Sequence, residues 1–187
     1  MAASKRQTIL DTALTLFVTQ GVSGTSTASI AKQAGVATGT LFHHFPNKQV
    51  LVDELYRTIK QELAEVMLKE LPEDPLAKAA VFWHDALDWF LDNPEKLVFF
   101  KLYYGSPLLS TESKRQAMQE VFGFLYDFFQ QGQDAGIFVK LPLEFVVQNI
   151  QSNIFSTTTF IVENPEFNTA EFKQQTFELM AKSMLSA

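Results

Sequence analysis

Between Ser26 and Lys48 the chain reads S-T-A-S-I-A-K-Q-A-G-V-A-T-G-T-L-F-H-H-F-P-N-K, and its punctuation specifies two short helices joined by a tight turn. Ser26 is placed to cap the first helix by accepting from an orphaned backbone N–H. Ile30, Ala31 and Ala34 then recur at the spacing of one buried face. Gly35 stops that helix, because glycine tolerates the left-handed backbone such a turn needs, and Val36 can drop into the small core between the helices. A second helix restarts at Thr38. Leu41 and Phe45 lie four apart and face inward, which leaves Thr38, Gly39, Phe42 and His43 outward.

The order I-A-x-x-A-G-V-x-x-G-T-L-F-H-H-F-x-N-K, from Ile30 to Lys48, resembles the DNA-binding domain of the TetR (tetracycline-repressor-like) family. The resemblance implies an all-α fold: an N-terminal three-helix helix-turn-helix domain, then a C-terminal helical domain for ligand binding and dimerisation. It places the DNA-binding domain at 1–48, a linking helix at about 47–71, and the effector-binding and dimerisation domain at 49–187. Ser26, Thr27, Thr38, Gly39, Thr40, Phe42, His43, His44 and Lys48 are the residues it would set against DNA. There Gly39 would let the backbone approach closely, Thr40 would donate to phosphate and Lys48 would supply a phosphate charge. Thr38 and Phe42 would meet base edges, with a thymine methyl as one partner. The chain departs from the family's pattern in three places. Phe42 stands where the family often has Tyr, and Ala28 and Ser29 replace residues that are frequently polar or basic.

A net charge of −6 at first argues against a polyanionic partner, since DNA binding rests largely on neutralising phosphates. The charge is segregated, however. Residues 1–48 hold Lys5, Arg6, Lys32 and Lys48 against the single acid Asp11, giving +3, while residues 49–187 hold 11 bases against 20 acids, giving −9. A mildly basic head on an acidic body suits a protein that touches DNA with one end. Lys5 and Arg6 either reach the DNA backbone or are ordinary solvated charges. Apolar residues at 47% and 18 Phe supply ample core material, and the absence of cysteine fits a reducing compartment. The first seven residues lack the apolar core of a signal peptide, and no segment offers the roughly 20 apolar residues of a membrane span. A cytoplasmic protein with no membrane association is expected.

Hydrophobic spacing predicts further helices. Residues 4–20 carry Ile9, Leu10, Ala13, Leu14, Phe17 and Val18 on one face, and Gly21 ends that run. A long helix begins at Pro46-Asn47-Lys48 and continues to about Leu71, where Leu71-Pro72-Glu73-Asp74-Pro75 breaks it. The backbone N–H groups at its start, with Lys48, would form a phosphate site. A stiff helix of this length could carry a shift at its far end to the head. Helices follow over about 76–93, over 97–104 as an interior helix with Lys101 its lone charge, and over about 111–134, interrupted by Gly123 and Gly132. The last two, about 142–163 and 169–185, carry the expectation of a homodimer. No charge lies between Glu144 and Glu163, and Ser152, Ser156 and Thr159 form a row of small side chains that permits close helix approach. A buried helix pair within one monomer is the other reading of that pattern.

A two-fold dimer with one recognition helix per head implies a palindromic double-stranded DNA operator. By the same resemblance a small-molecule effector of unknown identity, apolar or aromatic in character, releases a repressor from that operator. Trp83, Trp89, Phe99, Phe100, Tyr103, Tyr104, Phe122 and Tyr126 are the candidate effector-binding residues, although each also suits a core. His84 and Lys101 are possible polar anchors; His84 can equally pair with Asp88 one turn on. No catalytic constellation, phosphate loop or metal-ligand spacing is present, so neither an enzyme nor a cofactor is expected. A helical ligand carrier and a ligand-independent DNA-binding regulator are the competing readings.

Overall fold

The computed structural model describes residues 4–68, 71–104 and 111–186, together with their side chains except at 104, 111–114 and 117. Among these residues there are nine α-helices and no strand, as the all-α reading requires. They pack as two units, Met1–Lys60 with Glu95–Gln116 and Gln61–Pro94 with Ala117–Ala187.

In the first unit, α1 (Lys5–Gln20) is capped by Ser4, whose hydroxyl accepts from the Gln7 amide, and packs on both α2 (Thr27–Gln33) and α3 (Thr38–His44). Ile9, Leu10, Ala13 and Phe17 on α1 are fully buried, as are Ile30, Leu41 and Phe45 opposite them. The Thr25 hydroxyl, itself buried, donates to the carbonyls of Leu16 at 3.2 Å and Gly21 at 2.9 Å and so ties the α1–α2 loop to the end of α1. The long helix α4 (Lys48–Met67) starts at Asn47, whose Oδ1 accepts from the Val50 amide at 2.9 Å. It ends at Met67, earlier than the expected Leu71.

This unit also contains α6 (Pro94–Tyr104), which the sequence pattern marked as interior. It buries only one stripe. Leu97, Phe99, Phe100 and Tyr103 are buried, whereas Val98 and Leu102 are 39% and 42% exposed and Lys101 is exposed. Phe99 stacks on Phe17 and on Tyr103, Phe100 meets Tyr56 edge-on, and the Tyr103 hydroxyl donates to Asp53 at 2.6 Å. Beside these rings lies Lys60, 3% exposed, with its ammonium 5.1 Å from the Tyr56 ring and 5.4 Å from that of Phe100. Burial pushes its pKa down to about 7.

In the second unit, α5 (Pro75–Asp92) takes Pro75 as its first residue and is capped by Asp74. It packs on α8 (Leu143–Glu163) and α9 (Ala170–Lys182), which a single 3-10 turn, Pro165–Phe167, connects. Trp83 donates to Asn153 at 2.9 Å and Lys173 pairs with Asp88 at 2.7 Å. His84 therefore meets Gln174 at 3.3 Å rather than Asp88. Helix α7 (Thr111–Asp134) departs from helical geometry at Phe122, next to Gly123. Gly132 does not interrupt it. That glycine makes room for the Phe138 ring, which a Cβ there would meet at 2.1 Å. Gln133 then holds the returning chain by donating to the carbonyls of Val139 and Leu141, and Phe138 forms an isolated antiparallel bridge with Leu185 just beyond α9.

Lys60 generates a pH prediction. Because the folded chain binds its proton less tightly than the unfolded chain, the unfolded state holds the extra proton between about pH 7 and 10.5. Stability therefore rises with pH across that window, by at most about 1.4 kcal/mol per pH unit. Urea unfolding at pH 7.5 and 9.5 should show this rise, and Lys60→Met should be more stable than the parent at pH 7.5 and lack that part of the rise.

Candidate nucleic-acid interface

The interface is built from α2, the turn after it, α3 and the start of α4. Ser26 caps α2 by accepting from the Ser29 amide at 3.0 Å, as its residue type and place require. Helix α2 closes with Ala34 donating to Ile30 at 2.8 Å. Gly35 then adopts φ +66°, and the Val36 amide reaches back to Ala31 at 3.0 Å. This Schellman-like return aims α3 across α2.

Helix α3 presents the outward face expected of it. Thr38, Gly39 and His43 are exposed and Phe42 is 42% exposed, an apolar ring held in solvent by the burial of Leu41 and Phe45 on the opposite side. Thr40 and His44 are half-buried, and the His44 ring lies between His43 and Phe45, with centroids 5.4 and 6.2 Å away. No heavy atom lies within 4 Å of a Cβ built on Gly39, and its φ is not positive, so nothing inside the protein demands glycine there. Ser26 is exposed at the head of α2 and Thr27 half-buried beside it. Lys48 opens α4, its ammonium making a long 3.5 Å contact to the Ser23 carbonyl, and partial burial lowers its pKa. The Asn47 cap takes one of the α4 amides that the sequence offered to phosphate.

Two features were not found in the sequence. The Thr25 anchor has no local signature, because its partners lie on the preceding helix and at its end. Arg6 forms an ion pair with Glu54 on α4 and lies over the Phe45 ring at 5.6 Å, a pairing across 48 residues that no short-range pattern reveals.

The eight aromatic candidates for an effector site divide between the two units. Phe99, Phe100 and Tyr103 belong to the ring cluster of the first unit. In the second, Trp83 and Phe122 are buried, Trp83 against Phe177 and Phe122 against Phe124, while Trp89 and Tyr126 are half-buried. The side chain of Tyr104 lies outside the described residues. A cavity of about 210 Å³ in the second unit is lined by Val139, Leu141, Phe145, Val146, Asn149, Ser183 and Met184 and by none of the eight. It is smaller than the roughly 300–1,000 Å³ of sites that hold drug-sized ligands.

The two glycines of the motif should respond to alanine with opposite signs. Gly35→Ala forces a side chain into the left-handed region and should destabilise the chain by about 1–2 kcal/mol. Gly39→Ala should stabilise it by up to about 1 kcal/mol, through helix propensity, with no clash. Denaturant midpoints of the two variants check both.

This geometry coincides with the result of comparison with known proteins. The family described as bacterial regulatory proteins, tetR family, matches residues 9–55, which run from the buried face of α1 into α4. The crystal structure of a tetR family transcription regulator from Shewanella sp. PV-4 is 39% identical, covers 99% of this chain and 100% of its own, and superposes with a TM-score of 0.94. The HTH-type transcriptional regulator AcrR of Shigella flexneri is 43% identical over 79 residues, which are 41% of this chain and 37% of AcrR. The regulator FadR of Bacillus subtilis, solved with stearoyl-CoA, shares the fold at 22% identity with a TM-score of 0.72, over 95% of this chain and 98% of its own. These relatives are transcription regulators rather than enzymes, and with the near-complete match at 39% identity the chain belongs to the TetR family of DNA-binding transcriptional regulators.

Proposed function

We propose that this regulator is a cytoplasmic homodimeric repressor that binds a palindromic operator and is released by an apolar or aromatic small molecule. The carrying observation is the outer face of α3, where Thr38, Gly39, Phe42 and His43 are exposed on a helix whose inner side is fully buried. On this reading residues 1–48 bind DNA: Ser26 and Thr27 flank the groove, Thr40 and Lys48 hold phosphates, and His43 has a better claim on phosphate than the packed His44. Residues 49–187 bind the effector and dimerise, and α4, with residues in both packing units, is the connection.

The exposed side of α8 supports dimerisation. Phe145, Ser152, Ser156 and Phe160 are exposed on a face without charge, and Leu179 on α9 is 71% exposed. An apolar face of this kind is stabilised by a second copy. The stearoyl-CoA held by FadR supports an effector with a long apolar part, and the aromatic candidates supply surface suited to one. A second reading, a regulator without a ligand, draws on the ring-against-ring packing of Phe99, Phe100 and Tyr103. A change of operator affinity on adding a fatty acyl-CoA or an aromatic compound favours the first reading; constant affinity across such a panel favours the second.

The test begins with selection of bound duplexes from a random pool, and a palindrome is the expected product. Lys48→Ala should weaken binding to that duplex across all salt concentrations and reduce the slope of log affinity against log salt by about one. Thr40→Ala should weaken it with little change in slope, since it carries no charge. In sedimentation, Leu179→Glu and Ser156→Glu should each shift the protein toward monomer, with loss of affinity for the full palindrome and retention of any half-site binding.

A further inference from the structure

Arg6 is placed differently from the phosphate contact that its position and charge suggest. Its guanidinium is ion-paired with Glu54 on α4, and its Cζ lies 5.6 Å from the centroid of Phe45. Phe45 is the residue that closes α3: it is fully buried, it leaves the helix with an extended backbone, and its amide donates to Leu41 at 2.8 Å. One side chain thus links the first turn of α1, the C-cap of the recognition helix and the second turn of α4. A guanidinium can pair with a carboxylate and lie over an aromatic ring at the same time.

We infer that Arg6 and Glu54 form a clamp that positions α3 for DNA, and that Arg6 is a positioning residue rather than a phosphate ligand. The inference rests on the DNA-binding reading of this same head. Both side chains are partly exposed, 41% for Arg6 and 37% for Glu54, so solvent screens the pair and its worth to global stability is small. Its effect lies in orientation. A reading helix must hold its side chains to within a fraction of an ångström of base edges and phosphates, and the only covalent link from α3 to α4 is Phe45-Pro46-Asn47. The clamp fixes the angle at that junction.

The two roles predict opposite signs for one substitution. If Arg6 served phosphate, Glu54→Gln would free it and delete a negative charge from the head, and both effects would tighten DNA binding. A clamp requires Glu54→Gln to loosen it. The probe is the duplex recovered by selection with the parent protein, titrated at several salt concentrations. Glu54→Gln and Arg6→Met should each weaken binding by about two- to fivefold with an unchanged salt slope, and the double variant should be no weaker than either single one. Unchanged or tighter binding by Glu54→Gln, or a slope lowered by about one in Arg6→Met, would overturn the inference. Amide exchange at Phe45 in the free protein supplies a readout independent of DNA. It should quicken in both variants, and an unchanged rate in either also sinks the clamp. Should the parent protein select no duplex, the DNA-binding reading fails while exchange at Phe45 still decides whether the clamp exists.

Discussion

Two helices of seven residues each cannot stand by themselves in water, where nucleation costs more than so few hydrogen bonds return. That constraint organises the first unit. Helices α2 and α3 exist because Ile30, Leu41 and Phe45 are buried against Ile9, Leu10, Ala13 and Phe17 of α1, and because Gly35 turns the chain sharply enough to keep both in reach. The exposed side of α3 is a by-product of the same packing. A face that contributes nothing to folding stability is free to carry residues suited to a partner, which is why Phe42 can remain in solvent and Gly39 can keep a helix-weakening glycine.

The parts of the fold written in short-range code were legible. Ser26 caps the helix it precedes, Gly35 turns as a glycine must, and the inward set of α1 follows from spacing except at Leu16, which is buried though not expected, and Val18, which is half-buried. Where the reading went astray, a distant partner had decided the matter. His84 has Asp88 one turn away, but Lys173 of α9 takes that carboxylate and leaves the imidazole to Gln174. Helix α6 looked interior because its apolar residues are consecutive, yet among its described side chains Leu97, Phe99, Phe100 and Tyr103 are buried while Val98 and Leu102 are exposed. Lys60 drew no notice in a stripe otherwise apolar, and its burial is legible only once the rings of Tyr56 and Phe100 are seen beside it.

The candidate DNA face was more legible than the effector site for a physical reason. A recognition helix is local: its turn, core and outward residues fall within about twenty positions, and their order is constrained by one geometry. A ligand cavity is assembled from helices far apart in sequence, and the aromatic residues that could line it are the same ones that fill a core. Trp83, for instance, spends its indole N–H on Asn153 seventy residues away, a bond that fixes the helix pair irrespective of any ligand.

The interleaving of the two packing units bears on how the chain is made. The first unit takes α6 from a point well beyond α4, and the second joins Phe138 to Leu185 near the end of the chain. During vectorial synthesis, α1 to α4 emerge before Phe99 and Tyr103 exist, leaving Phe17 and Tyr56 without the rings that cover them. A fragment cut at the end of α4 would lack the rings that cover Phe17 and Tyr56, so the helix-turn-helix as a sequence module ends before the packing unit it belongs to is complete.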